Sequence, residues 1–218
     1  MNLRETWNEC HKHFIKDRQD IVIDDWLDTF IDIIENSKTP IIDLGCGSGN
    51  DTLYLINHGK ETISIDCSDY AIEKIKLNIP ETKAILHDMT KPFNFANNYT
   101  DVVIADLSLH YFSKDVTNQI IAEISRILVP NGHLLIRVNS MNDTNFCAGQ
   151  GKEIEKHFYF VDDKTKGNIR NSMEKRFFDE ADIREFFKDW EIEYINEEKM
   201  DRYGNGKILW KVCLKNIK

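Results

Sequence analysis

The chain has 218 residues and a formal net charge of -9 at pH 7. This length suits one domain with a substantial hydrophobic core. The negative charge opposes long-range attraction to nucleic acids and anionic membranes, so we expect neither as a partner. The five cysteines are scattered and odd in number, which indicates reduced thiols and argues against a disulfide or zinc framework.

The N-terminal residues are too polar for a signal peptide, and no apolar run is long enough to cross a bilayer. We therefore expect a cytoplasmic protein. We also expect no metal site, because histidines, cysteines and carboxylates show no ligand spacing. The oligomeric state is left open.

The N-terminal residues predict two amphipathic helices. Apolar residues recur at spacings of three and four over residues 3–18 and again over residues 24–36. Both helices cover a sheet edge in the simpler interpretation. The alternative interpretation, which is drawn from the family resemblance given below, is that the first helix, which carries Trp7, folds over the ligand.

Strands and helices alternate through the middle of the chain. β-branched runs predict five strands, at residues 40–45, 62–66, 83–88, 101–106 and 132–139. Helical patterns between them occupy residues 51–58, 69–77 and 115–128. This alternation is typical of right-handed crossovers and a parallel sheet, whose ligands bind beyond the carboxyl ends of the strands.

The pattern changes after the fifth predicted strand. Glycines, charges and aromatics over residues 141–178 predict an insertion that caps the ligand edge of the sheet. Asp179 begins a helix, and two extended runs then predict an antiparallel hairpin over residues 190–199 and 207–215. We expect a single domain over residues 1–218, made of N-terminal helices (1–38), a ligand-binding core (39–140), the cap (141–178) and the helix with the hairpin (179–218).

A glycine-rich turn follows the first predicted strand. Asp43 precedes Gly45, Gly47 and Gly49, and a helical pattern begins directly afterwards. Glycine lets a ligand approach the backbone closely, and a helix N-terminus attracts anionic or oxygen-rich groups. A dinucleotide-binding turn needs glycine where this chain has Asn50, and a P-loop needs a Gly-Lys-Ser/Thr ending that is absent here.

Three later strands also end in an acid. Asp66 lies about 20 residues beyond the glycines, the separation expected for a carboxylate that binds a ribose. Asp88 and Asp106 end the next two strands in turn. The alternative for Asp66 and Asp88 is a plain turn at a strand end.

The pattern Asp-x-Gly-x-Gly-x-Gly, with the later acids in this order, resembles the class I S-adenosylmethionine (SAM)-dependent methyltransferases over residues 40–140. The runs Leu-Ser-Leu-His-Tyr-Phe and Arg-Val-Asn-Ser resemble, more weakly, the tellurite-resistance-type methyltransferases. This resemblance implies an α/β fold: a Rossmann-like, seven-stranded, mostly parallel sheet with helices on both faces, an antiparallel C-terminal hairpin, N-terminal helices and a cap insertion after strand 5. It also implies SAM as cofactor, S-adenosylhomocysteine (SAH) as product and a small-molecule methyl acceptor.

The resemblance further assigns roles to individual residues. Asp66 would bind the ribose, Asp88 the adenine amino group, and the backbone N–H of Met89 a ring nitrogen. Asp106 would approach the methionine part of the cofactor. The full set of implied cofactor contacts is Asp43, Gly45, Cys46, Gly47, Gly49, Asp66, Cys67, Asp88, Met89, Asp106 and Leu107.

His110 and Tyr111 follow the fourth strand, where the transferred methyl group is expected, and are the candidates for catalysis. A packing role is the alternative for His110. Methyl transfer chiefly needs a dry, oriented site, so no catalytic signature is required.

Candidate substrate contacts are Trp7, Arg137, Asn139 and Tyr159. Arg137 and Asn139 alternate on one face of the fifth strand, which favours an anionic or carbonyl-bearing substrate. Two other functions stay open: a nicotinamide-dependent oxidoreductase and a non-catalytic, methyltransferase-like binding module.

Overall fold

The computed structural model describes residues 3–15, 17–162, 172–202 and 206–218. In these ranges the strands, in chain order, are β1 (Ile41–Leu44), β2 (Thr62–Asp66), β3 (Lys83–Leu86), β4 (Thr100–Asp106), β5 (Leu128–Asn139), β6 (Lys152–Glu155), β7 (Phe158–Asp162), β8 (Ser172–Arg176), β9 (Glu191–Met200) and β10 (Lys207–Lys215). The α-helices are α1 (Leu3–Phe14), α2 (Ile31–Asn36), α3 (Asn50–Asn57), α4 (Asp69–Asn78), α5 (Lys114–Ile127) and α6 (Glu180–Phe186).

A seven-stranded sheet with the order β3-β2-β1-β4-β5-β10-β9 forms the centre of the molecule. Strands β1 to β5 are parallel to one another, and β10 runs antiparallel to both β5 and β9. The predicted α/β fold, with its parallel core and antiparallel C-terminal hairpin, is confirmed. The carboxyl ends of β1 to β5 therefore meet at one edge, where a ligand is expected.

Helices cover both faces of this sheet, as predicted. Successive residues of β4 alternate between two hydrophobic clusters, with Val103 in one and Ile104 in the other. The first cluster includes α5 and α6, and the second includes α2 and α3. No helix in the described part of the chain is both long and apolar enough to span a bilayer.

Several boundaries differ from the sequence prediction. The first helix ends at Phe14 instead of continuing to residue 18, because Arg18 lies in a 3-10 turn and donates to the carbonyl of Asn78 at 2.9 Å. The second predicted helix begins with a 3-10 segment, Trp26–Phe30. Strand β5 begins at Leu128, where Leu128 pairs with Thr100.

The predicted cap insertion contains a small antiparallel sheet that the sequence did not predict, with the order β6-β7-β8. Its start and end lie together, because Ser140 after β5 forms a bridge with Phe178. This connection holds the cap beside the carboxyl end of β5. The cap therefore lies at the edge of the main sheet where ligands bind.

Candidate active site

The turn after β1 takes a shape that a side chain at Gly45 would prevent. Gly45 has φ +81°, and a Cβ atom there would lie 2.5 Å from Cβ of Ser108. The backbone N–H groups of Gly45 and Cys46 donate to the carbonyl of Ile65 at 2.8 and 3.0 Å. The hydroxyl of Ser108 donates to the carbonyl of Leu44 at 2.8 Å. The glycine turn is thus fixed between the ends of β2 and β4.

Gly49 has a packing role and does not line the cavity described below. Its φ is +84°, and a Cβ atom would lie 2.4 Å from Cδ1 of Ile75 and 2.7 Å from Cδ1 of Ile79. The glycine lets α3, which begins at Asn50, pack closely on α4. The predicted cofactor contact of Gly49 is therefore replaced by a helix-packing role.

A cavity of about 410 Å³ opens at the carboxyl edge of the sheet. Small-molecule sites commonly have volumes of roughly 300–1,000 Å³. The structure brings most of the predicted site residues together in its wall: Trp7, Asp43, Gly45, Cys46, Gly47, Asp66, Cys67, Asp88, Met89, Asp106, Leu107, His110, Tyr111 and Asn139.

The carboxylate of Asp66 is held in one orientation by the backbone. Its Oδ2 accepts from the N–H of Gly47 at 3.0 Å, and its Oδ1 accepts from the N–H of Ser68 at 2.8 Å. Each carboxylate oxygen has a further lone pair. Asp66 can therefore accept from a pair of ligand hydroxyls while it stays attached to the glycine turn.

Asp88 is oriented by a local turn. Its Oδ1 accepts from both the backbone N–H and the hydroxyl of Thr90, at 2.9 and 2.8 Å. This arrangement fixes the backbone around Met89 on the cavity wall. The pair therefore offers a carboxylate and a backbone N–H next to each other.

Buried carboxyl groups lie beneath the glycine turn. Oδ2 of Asp43 accepts from the hydroxyl of Thr52 at 2.6 Å, and Oδ1 of Asp51 accepts from the indole N–H of Trp26 at 2.9 Å. Burial, helped by the charge of Asp106, raises the pKa of Asp43 to about 7 and the pKa of Asp51 well above its usual range. A ligand cation here would favour the ionised carboxylates.

Asp106 belongs to a buried ion network. It accepts from Nε and Nη2 of Arg137 at 2.7 and 2.8 Å and from Nη1 of Arg202 at 3.1 Å. Oδ2 of Asp24 accepts a hydrogen bond from Nη1 of Arg137 at 3.0 Å and lies 2.6 Å from Nη2 of Arg202. Burial alone would raise the pKa of Asp106, but the two guanidinium groups hold it below its usual value.

Arg137 does not reach the cavity wall. It is 1% exposed, and its guanidinium lies 4.6 Å from the ring centre of Trp26. Its guanidinium forms ion pairs with Asp106 and Asp24, because a buried positive charge is stable only when carboxylates compensate it. The structure therefore gives Arg137 a role in fixing Asp106 instead of the predicted substrate contact.

Tyr159 does not reach the cavity either. It is buried in the cap, where its ring lies 6.2 Å from the ring of Phe177. The two residues form a small apolar cluster with Ala148. The prediction placed Tyr159 against the substrate, whereas the structure uses it to pack the cap.

His110 and Tyr111 lie on a short 3-10 turn after β4, with ring centres 4.3 Å apart. Tyr111 also meets the ring of Trp7 edge to face at 4.8 Å. Burial, together with the charges of Lys207 and Lys175, lowers the pKa of His110 well below its usual value. His110 is therefore neutral at pH 7, so its ring can form hydrogen bonds at the cavity wall but carries no charge there.

Helix α1 closes one side of the cavity. Arg4 donates through Nε to Asp69 at 2.6 Å, and Nδ2 of Asn8 donates to the same carboxylate at 3.2 Å. The hydroxyl of Ser68 donates to Oδ1 of Asn8 at 2.7 Å. These contacts hold α1 against α4 and place Trp7 on the cavity wall. This position agrees with the interpretation in which the first helix folds over the ligand.

Sequence reasoning missed part of the wall. His11 lies one turn after Trp7, so their shared helix face was a usable signal. Ser108, Phe146, Lys175, Arg202 and Lys207 also line the cavity. The last four come from the cap and the C-terminal hairpin, and only the tertiary fold brings them to the wall.

Two groups in the described residues have the spacing of metal ligands, although the sequence predicted no metal site. One is His133, Glu193 and Cys213, and the other is His157, Asp179 and Asp182. Neither group lines the cavity. Asp179 and Asp182 already form the capping box of α6, which accounts for their closeness.

Residues 42–136 match a family model described as a methyltransferase domain. A probable SAM-dependent methyltransferase, TehB of Haemophilus influenzae, is 25% identical over 215 residues, which cover 90% of this chain and 65% of that protein. A methyltransferase of Synechocystis, itself uncharacterized, is 28% identical over 92 residues, which span 42% of this chain and 43% of its own length.

Solved structures of the same fold include a SAM-dependent methyltransferase from Methanosarcina mazei, with a TM-score of 0.73, 19% identity and coverage of 84% of this chain and 93% of that one. Another is 1,6-didemethyltoxoflavin-N1-methyltransferase from Burkholderia thailandensis, solved with 1,6-didemethyltoxoflavin and SAH. Its TM-score is 0.62, with 14% identity and coverage of 99% of this chain and 80% of that one.

The fold and the cavity thus define a class I methyltransferase architecture. Over residues 42–136 this chain is similar to a methyltransferase domain, and the resemblance to the SAM-dependent methyltransferases that the sequence predicted is confirmed. SAM is the cofactor of that class, as the sequence predicted.

Proposed function

We propose that this chain transfers the methyl group of SAM to a small-molecule acceptor by in-line displacement, and that it does so in the cytoplasm. The observation that carries this proposal is the convergence of Asp43, Asp66 and Asp88 around the glycine turn in one cavity. Asp43 lies on β1, Asp66 ends β2 and Asp88 follows β3, and each is oriented by a separate hydrogen bond.

The residues present fit the cofactor. The cradle at Gly45 is one that a Cβ atom would fill, and the oriented carboxylate of Asp66 suits the two ribose hydroxyls. Asp88 and the N–H of Met89 suit the adenine edge. Arg202, unlike Arg137, lines the cavity, and its guanidinium has five N–H donors, so it can bind the carboxylate of the methionine part in addition to Asp106 and Asp24.

When bound, SAM supplies an electrophilic methyl group on a positively charged sulfur. The chain's own contribution is orientation and the exclusion of water, which can supply on the order of 7–11 kcal/mol of the barrier. Trp7 and Tyr111 close the wall with aromatic surface. His110, being neutral and buried, orients the acceptor by hydrogen bonding and is poorly suited to hold a proton.

A small acceptor is favoured by the size and enclosure of the cavity, whose wall includes α1 and the cap. The Burkholderia structure, which holds the small molecule 1,6-didemethyltoxoflavin, supports this choice. The net charge of -9 disfavours a nucleic acid or an anionic membrane as partner. No observation favours the oxidoreductase or the non-catalytic module.

Titration calorimetry of the purified chain with SAM, SAH and NAD tests this proposal. We expect saturable binding of SAM and SAH and none of NAD, followed by SAH formation in a screen of small acceptors. Binding of NAD without SAM would support the oxidoreductase. Binding of SAM with no methylation across a broad acceptor screen would support the binding module.

A further inference from the structure

One side of the cavity differs in charge from the rest, and we call it the acceptor wall. It consists of His110, Tyr111, Asn139, Phe146, Lys175 and Lys207. These residues come from the end of β5, the turn after β4, the cap and the start of β10. Asp66 ends β2, and Asp88 follows β3. In the sheet order β3-β2-β1-β4-β5-β10 the acceptor wall therefore lies away from these two acids.

The acceptor wall contains two lysines, and one of them is paired with a carboxylate. Lys207 is 7% exposed, and its ammonium lies 2.9 Å from Asp143 and 4.7 Å from the ring centre of Phe146. Lys175 lies on β8, which packs against the turn that carries His110. In the described part of the chain, no carboxylate lines the cavity from the cap, β5 or β10.

Two buried polar atoms in this wall have no hydrogen-bond partner among the described residues. They are Nδ1 of His110 and Oδ1 of Asn139, and the two residues are 1% and 2% exposed. An unpaired buried polar group costs roughly 1–3 kcal/mol, so such atoms need an explanation. Their position on a cavity wall indicates that a ligand pairs with them.

We propose that the methyl acceptor is a small molecule with an anionic oxygen group, which binds at the acceptor wall with that group toward Lys175 and Lys207. His110 and Asn139 then hydrogen-bond its remaining polar atoms. The proposal rests on the proposed function, because it concerns the second substrate of the same site. The opposite side carries Asp66 and Asp88, which would repel the anion and so set one direction of binding.

The pKa of His110 supports the same arrangement. Burial and the nearby ammonium groups of Lys207 and Lys175 lower it, so the histidine stays neutral and adds no charge to this wall. Asp106 is close in the chain to His110, but Arg137 and Arg202 pair with its carboxylate. The carboxylate that pairs with a lysine of this wall is Asp143, so the anionic group would share the ammonium of Lys207 with it.

The test measures binding of isosteric pairs to the SAH complex by protein-observed NMR. The probes are benzoate, 4-hydroxybenzoate, nicotinate and propionate, each compared with its neutral amide. We expect at least one carboxylate to bind at least tenfold more tightly than its amide. Lys175→Gln and the charge-neutral double variant Lys207→Gln/Asp143→Asn should each reduce that preference at least threefold, whereas Lys152→Gln, an exposed lysine of the same cap, should leave it unchanged.

Three outcomes would overturn the proposal: no carboxylate binds, the amides bind as tightly as the carboxylates, or both cavity variants retain the full preference. Binding of SAH is measured first for every variant and shows that its site is folded. A wild-type chain that does not bind SAH would instead refute the proposed function, so the two failures are distinguishable.

Discussion

Removing the carboxylate of Asp66 should weaken cofactor binding at least tenfold. This carboxylate is buried at the rim of the cavity and is already oriented by the N–H groups of Gly47 and Ser68. A hydrogen bond to a charged group contributes roughly 1.5–3 kcal/mol, and two ribose hydroxyls would each lose one. Water replaces part of this in Asp66→Ala, so the expected loss is about 1.4–2.8 kcal/mol, or roughly 10- to 100-fold in Kd.

Calorimetry with SAH measures the loss, and thermal unfolding checks the fold. Asp66→Ala also removes the acceptor for two backbone N–H groups, so Asp66→Asn, which keeps one oxygen, should show a smaller loss. Asp115→Ala, in the exposed first turn of α5, is the matched control and should bind SAH normally. Unchanged affinity in a folded Asp66→Ala variant would show that the ribose lies elsewhere.

The remaining predictions concern the glycine turn, the buried acid and the arginine of the wall. Gly45→Ala places a Cβ atom 2.5 Å from Cβ of Ser108 on a left-handed backbone, so it should lower Tm by several degrees and abolish SAH binding. Adding Ser108→Gly should restore Tm only in part, because the backbone strain stays. Full SAH binding by Gly45→Ala would contradict this prediction. The folded pKa of Asp43 is about 7, above its usual 3.8, so the folded chain binds the extra proton and its stability should fall as pH rises from about 4 to 7. Asp43→Asn should flatten that fall in urea unfolding at pH 5 and pH 8, and an unaltered slope would be evidence against the buried acid. Arg202→Gln should weaken SAH about tenfold and leave 5′-methylthioadenosine, which lacks the amino acid part, unaffected; equal losses for both, or a similar loss in the exposed control Arg184→Gln, would count against the assignment.

The parts of the site that the sequence predicts are those built from short stretches. Gly45 and Gly47 follow a strand directly, and Asp66 and Asp88 end strands or follow them, so strand patterns alone place them on one edge. The same patterns predict the parallel core and the C-terminal hairpin. The structure confirms both, so the spacing of apolar residues and the positions of strand ends are enough to predict these parts of the fold.

The parts that the sequence does not predict depend on partners distant in the chain. Arg137 lies on β5, as the sequence predicts. Its role depends on an ion pair with Asp24, which is 113 residues away in the chain. Gly49 belongs to the glycine pattern, but it has a packing role because Ile75 of α4 leaves no room for a side chain there. Lys207 reaches the wall only because β10 inserts beside β5. Strand and turn patterns carry no information about such contacts.

A crystal structure of the chain with SAH tests the central claim most directly. The account predicts density in the cavity, with the ribose hydroxyls on Asp66, the adenine beside Asp88 and the N–H of Met89, and the sulfur facing His110 and Tyr111. SAH bound away from Asp66 and Asp88, or a cavity that stays empty at saturating SAH, would contradict it.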